Sequence, residues 1–200
     1  MSTISASRKI LVVPLDWGLG HATRDIPLIR EMVNAGCQVF IAAEEKHAAL
    51  LQQEFPQLTI LPLPGYCIQY AQKGQFFGLK IIQQIPKIYR AIKYEQKWLK
   101  KVVADYQINA VISDNRFGLY HKNIPTVFIT HQLLIKTPFG GWIERALQKI
   151  NYRFINKYSA CWIPDFSGDN NRSGVRAHPA TLPEHTTYIG CLSRFEPKTD

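Results

Sequence analysis

The chain has 200 residues, 46% of them hydrophobic, enough for one good core and unlike the compositions of collagen-like, coiled-coil or disordered chains. Twenty-four Lys and Arg against 15 Asp and Glu leave a net charge of +9, which favours anionic partners. Zinc-finger spacing, an RNP-like aromatic run and a basic leader are all missing, so nucleic acid is not an expected partner.

In chain order, Met1 to Lys9 are polar and small. The apolar run behind them is about six residues long, too short for a secretory segment or a membrane span, so a cytoplasmic chain is expected. That run, Ile10 to Leu15, predicts a first strand. It is followed by Asp16-Trp17-Gly18-Leu19-Gly20-His21-Ala22-Thr23-Arg24 and an amphipathic helix over His21 to Ala35, closed by Gly36 as a C-cap glycine. Strands at Gln38 to Ala42 and Leu58 to Leu61 enclose a helix at Lys46 to Glu54. A long helical pattern then runs from Phe77 to Tyr106, where Pro86 should kink it or split it in two. Strands follow at Ala110 to Ser113, Thr126 to Thr130, Ala160 to Ile163 and Thr187 to Ile189, with a helix over Gly141 to Lys157 and a surface loop over Phe166 to His185. Apolar runs alternating with helical patterns predict an α/β domain with a Rossmann-like parallel sheet flanked by helices.

The glycine turn after the first strand is the principal candidate site. Gly18 and Gly20 let the backbone turn sharply with its N–H groups uncovered, and the helix start adds unpaired donors and partial positive charge. His21, in the first helical turn, is placed where the neutral imidazole is favoured and could act as a base, or it could simply cap the helix or touch a bound phosphate. Arg24 reads as a partner for a phosphate or carboxylate, or as a surface partner of Asp25 or Glu31. Asp114 and the pair His131 and Gln132 end two later strands on the same carboxyl edge, where parallel sheets bind ligands. A nicotinamide-binding reading draws on Gly18, Gly20 and the acids Glu44 and Glu45, but Thr23 stands where that fingerprint has Gly or Ala.

In the long helix, Ile81, Ile85, Ile88, Tyr89, Ile92, Leu99 and Val103 form one face and Lys80, Lys87, Arg90, Lys93, Lys97 and Lys101 the other. Either it covers the sheet with a solvated Lys face, or the segment Lys80 to Lys101 lies on an anionic membrane surface, with Trp98 at the boundary and Phe76 and Phe77 upstream. The four cysteines, Cys37, Cys67, Cys161 and Cys191, show no C-x-x-C spacing and read as reduced, buried, inert thiols, with no metal site or disulfide frame.

The turn Gly18 to Arg24, the strand end Val111-Ile112-Ser113-Asp114, the run Ile124 to Gln132 and the closing Tyr188-Ile189-Gly190-Cys191-Leu192-Ser193-Arg194-Phe195 together resemble the N-terminal half of the GT-B glycosyltransferases. The similarity is greatest to the MurG-like branch, glycosyltransferase family 28. The resemblance implies a two-domain transferase that uses a nucleotide-sugar donor as co-substrate and needs no metal or other cofactor. It also implies a sugar or lipid-linked acceptor received by this domain at Gly18, Leu19, Gly20, Arg24, Asp114, His131 and Gln132, with His21 as the candidate catalytic base. The acceptor domain is expected over residues 8–192 and the start of an interdomain linker over 193–200. The donor-binding half would then lie in a further domain or a partner chain, without which no sugar transfer is expected. The alternative from another class is a non-catalytic phosphate or lipid-headgroup binding module. A place on the inner face of the membrane would suit a lipid-linked acceptor.

Overall fold

The computed structural model describes residues 7–16, 19–66, 77–135, 137, 140–168 and 171–192; for 19–23, 77–83, 85 and 175 it describes the main chain only. The elements run β1 (Lys9–Val13), α1 (Leu19–Asn34), β2 (Gln38–Ala43), α2 (Glu45–Glu54), β3 (Thr59–Pro62), α3 (Phe77–Tyr106), β4 (Ala110–Asp114), β5 (Thr126–Ile129), α4 (Gly141–Ile155), β6 (Ala160–Ile163) and β7 (Thr186–Tyr188). The strands form one seven-stranded sheet in the order β3-β2-β1-β4-β5-β6-β7, and every pairing is parallel. Each strand expected from an apolar run is present, because strands buried on both faces must be apolar nearly throughout.

Alternation along the strands divides the core. Leu11, Val13, Phe40, Ala42 and Val111 pack with Leu99 and Val102 of α3. Val12, Val39, Ile41 and Ile112 pack on the other face with Ile26 and Ile29 of α1 and Leu51 of α2. Further along, Phe128, Cys161 and Ile163 meet Ile155 of α4. Each large aliphatic side chain taken fully out of water in this way contributes roughly 1.5–3 kcal/mol. Ile88, Ala91 and Ile92 of α3 and Phe154 of α4 belong to a further cluster around Leu15 and Tyr66.

Local signals hold at the ends of the elements. Gly36 has φ +78°, its N–H donates to Val33 O, and the Cys37 N–H donates to Met32 O at 3.0 Å, the paired closure of a Schellman cap. Helix α3 is continuous through Pro86, so of the two alternatives the chain forms one helix and is not split in two. Its apolar face needs revision: Ile92 and Leu99 are buried, but Tyr89 is 54% exposed, so it belongs to the solvent face. Trp98 is partly buried against the core cluster, at the edge between the two faces. The cysteines also differ among themselves. Cys161 is buried and its thiol is pushed up to about 12 by burial, whereas Cys191 is exposed and Cys37 half-buried; Cys67 lies outside the described residues. The expected linker at 193–200 lies outside them as well.

Candidate functional site

The sheet reverses its winding between β1 and β4. From β1 the chain moves toward β2 and β3, and from β4 toward β5, so the connections leaving the two central strands part at their carboxyl ends and open a crevice. Into this crevice the second turn of α1 sends Arg24. Its Nη2 donates to Asp114 Oδ1 at the end of β4, and its Nη1 donates to His131 Nδ1, just beyond β5, at 2.8 Å. Asp114 is fully buried and the Arg24 side chain is 14% exposed, so this ion pair forms largely out of water, where its geometry is firmly held. The three residues stand far apart in sequence, and only the parallel sheet brings them together.

One more carboxylate borders this cluster, and another lies after β1. Asp25 is completely buried, which corrects the surface position expected for it. Burial, reinforced by the nearby Asp114, raises its carboxyl well above the ordinary carboxylate range against the opposing pull of Arg24. Among the described residues, neither of its oxygens has a hydrogen-bond partner. Asp16, after β1, sits against Gly65 in the connection leaving β3; a Cβ at position 65 would run into its carboxylate. Position 65 therefore requires glycine for close approach.

A second buried ion pair leaves the same strand end. Arg116 Nε donates to Glu95 Oε1 at 2.7 Å, and Glu95 Oε2 accepts from Tyr66 Oη and from the Gly118 N–H, each at 2.8 Å. Arg116 Nη2 donates to Pro64 O at 2.6 Å, while the Arg116 carbonyl accepts from Ser113 Oγ and Tyr158 Oη. Burial raises the Glu95 carboxyl even though Arg116 and the hydrogen bonds act to lower it. Glu95 sits on the apolar face of α3, between Ile92 and Leu99. The sequence signal was a charged residue filling a helical position that the apolar spacing leaves open.

At the end of β6, Asp165 accepts from the N–H groups of Phe166, Arg172 and Ser173 and pairs with His178 Nε2 at 3.1 Å. Burial acts to raise this carboxyl, but the three backbone donors and His178 outweigh it and hold it well below the ordinary carboxylate range. His178 stacks on Tyr188, with ring centroids 4.8 Å apart. The stretch expected to be a plain surface loop is thus tied at its base, and it holds a short 3-10 turn, Gly174–Arg176.

Of the candidate site residues, Arg24, Asp114 and His131 are brought together. Gln132 is exposed; its main chain is fixed by an N–H bond to Thr130 Oγ1 and by Asn151 Nδ2 donating to its carbonyl. Leu19, Gly20 and His21 lie in the first turn of α1, but their side chains lie outside the described residues, as does Gly18 altogether. Among the described residues, no group of three or more His, Cys, Asp and Glu is placed to hold a metal ion. No helix among them is long and apolar enough to cross a membrane.

No family model and no curated relative matches the chain. Solved structures do match. LpCGTa in complex with UDP is similar at a TM-score of 0.57 and 12% identity, over 94% of this chain and 53% of that one. SsfS6, a Streptomyces sp. SF2575 glycosyltransferase, is similar at 0.52 and 12%, over 78% and 50%. Arabidopsis thaliana UGT89C1 complexed with UDP-L-rhamnose gives 0.53 and 12%, over 80% and 45%. The chain spans about half the length of these structures. The fold is therefore that of a GT-B glycosyltransferase-like N-terminal domain.

Proposed function

We propose that this domain is the acceptor-binding half of a nucleotide-sugar-dependent glycosyltransferase of the family 28 type, with the donor held by a further domain or a partner chain. The observation that carries this reading is the chain Asp114, Arg24, His131 at the switch point of the sheet. A guanidinium and an imidazole, fixed by a buried carboxylate, face the crevice in which α/β domains receive ligands. They suit the hydroxyl and phosphate oxygens of a sugar or lipid-linked acceptor. His21, in the first turn of α1, is the proposed base that takes the proton from the acceptor hydroxyl as its oxygen bonds to the anomeric carbon. The sugar–phosphate bond then breaks, and the nucleotide diphosphate leaves toward the donor-binding half. No cofactor is required by this scheme.

The basic face of α3 supports a peripheral position on an anionic, cytoplasmic membrane surface. Lys87, Arg90, Lys93, Lys97, Lys100 and Lys101 are all exposed, with Tyr89 and Tyr94 half-exposed among them. On the adjoining helix α4, Trp142 is 69% exposed and the cations Arg145, Lys149 and Arg153 share its solvent face. Aromatic side chains set among cations suit the headgroup layer.

The test is to mix the purified chain with UDP-sugars and a polyprenyl phosphate or sugar acceptor. Acceptor binding without transfer is expected, with transfer appearing on addition of a donor-binding domain. Turnover by the chain alone would overturn the half-site reading. Phosphate binding that never supports transfer would favour the non-catalytic binding module.

A further inference from the structure

We infer that Arg24 fixes His131 as the neutral imidazole protonated at Nε2, so that His131 serves the site as a hydrogen-bond donor and not as its base. A guanidinium carries only donors, and its Nη1 lies 2.8 Å from His131 Nδ1. Nδ1 must therefore present its lone pair, and the single ring proton sits on Nε2. An imidazolium would set N–H against N–H between two cations at this distance. An Nδ1–H tautomer would do the same without the second charge.

The guanidinium cannot turn away to relieve either conflict. Its other arm, Nη2, is bonded to Asp114 Oδ1, a carboxylate with no exposure, and the Arg24 side chain is itself only 14% exposed. The backbone after His131 is also held. The Gln132 carbonyl accepts from Asn151 of α4, and the N–H groups of Leu133 and Leu134 donate to Arg176 O. The imidazole thus stands on a fixed main chain against a fixed cation. Asp114 holds Arg24, Arg24 holds His131, and the ring's one proton is directed to Nε2. Arg24 is a positioning residue in this arrangement.

What the Nε2–H meets rests on the acceptor-site reading above: an oxygen lone pair of the acceptor, on a hydroxyl or a phosphate. A ring in this tautomer can orient such an oxygen and cannot take its proton through Nδ1, so the base must be another group. The donor role also sets which replacement succeeds. In H131Q the amide still offers an N–H, whereas in H131F nothing replaces it.

The experiment is a long-range proton–nitrogen correlation on the 15N-labelled chain at neutral pH. The chain has six histidines, and the His131 signals are identified by their loss in H131Q. The expected pattern is a pure Nε2–H tautomer in the wild type that becomes a mixture of tautomers in R24M, which has no donor for Nδ1. A doubly protonated ring or an Nδ1–H tautomer in the wild type overturns the inference without the need for any variant. A pure Nε2–H pattern that persists in folded R24M removes Arg24 as its cause. This spectrum is independent of the transferase reading. If the tautomer is as expected and H131F still binds acceptor as the wild type does, the acceptor-site reading fails while the Arg24–His131 assignment stands.

Discussion

Two ion pairs leave the end of β4 in opposite directions. Asp114 turns toward α1 and Arg24, and Arg116, two residues on, turns toward α3 and Glu95. Strand alternation alone would send both to one face; Asn115 between them has φ +53°, and this left-handed residue turns the chain over. The pairs differ in how completely they are closed. Both members of the Glu95–Arg116 pair are at most 1% exposed, and Glu95 also takes bonds from Tyr66 and Gly118. The Asp114–Arg24 pair ends on a half-buried imidazole at the crevice, next to an unbonded buried carboxyl. The first arrangement ties β4, α3 and the β3 exit together. The second holds side chains at an open edge.

The largest effect that would test this contrast is expected at the closed pair. R116M leaves Glu95 buried without its counter-charge, which costs about 3–5 kcal/mol in folding stability. Denaturant unfolding should show that loss, and the double variant E95M/R116M should recover most of it. If R116M is no less stable than the wild type, the network does not tie the elements together. At the open pair the loss should fall on the proposed function: once the domain is paired with a donor-binding half that supports transfer, D114N is expected to lower kcat/KM for the acceptor by about 10²-fold, as when one partner of a desolvated charge pair at a binding site is removed. Its melting temperature should fall less than that of R116M. A variant whose stability collapses while acceptor kinetics per folded molecule are unchanged would make the two pairs equivalent.

This division also marks what could be read from the residues. The strands, the order of helices and the Gly36 cap were legible because each depends on local pattern: continuous apolar runs, a 3.6-residue period and a glycine at a left-handed position. The candidates at the carboxyl edge were legible because a residue that ends a parallel strand must lie there, which is why Asp114 and His131 could be placed. Their link through Arg24 was not, since the contact joins residues 90 and 107 positions apart and depends on strand order. Asp25 was misplaced on the surface because its burial depends on how α1 rotates against β4. Glu95 was passed over because a single acid on an apolar helix face is legible only once its counter-charge, Arg116, is known. The base of the loop after β6 was hidden for a similar reason: Asp165 bonds mostly to main-chain N–H groups, which leave no trace in side-chain pattern.

A smaller effect is expected on the solvent face of α3, turned away from the buried Glu95 on the same helix. In K93Q, K97Q and K101Q, affinity for phosphatidylglycerol vesicles should drop by roughly fivefold per charge removed, near 1 kcal/mol each, with melting temperature unchanged. Equal binding to neutral phosphatidylcholine vesicles would remove the electrostatic account of that face.

The smallest effect concerns Asp25, and there the sign carries the argument. Because its carboxyl is raised in the folded chain, the folded protein keeps a proton that the unfolded chain gives up above about pH 4. Stability from this group is therefore complete below that pH and declines as pH rises toward the folded-state value. Asn at this position cannot ionise, so D25N should lack that decline. Its melting temperature relative to the wild type should climb from pH 4 to pH 8 by roughly a few degrees. The slope is the readout, since any cost of burying the amide is the same at each pH. A difference that stays flat across this range would mean that Asp25 is ionised in the folded protein, with its charge balanced by Arg24. The cluster would then share one cation between two carboxylates, and the contrast with the saturated Glu95 would narrow to the exposure of His131.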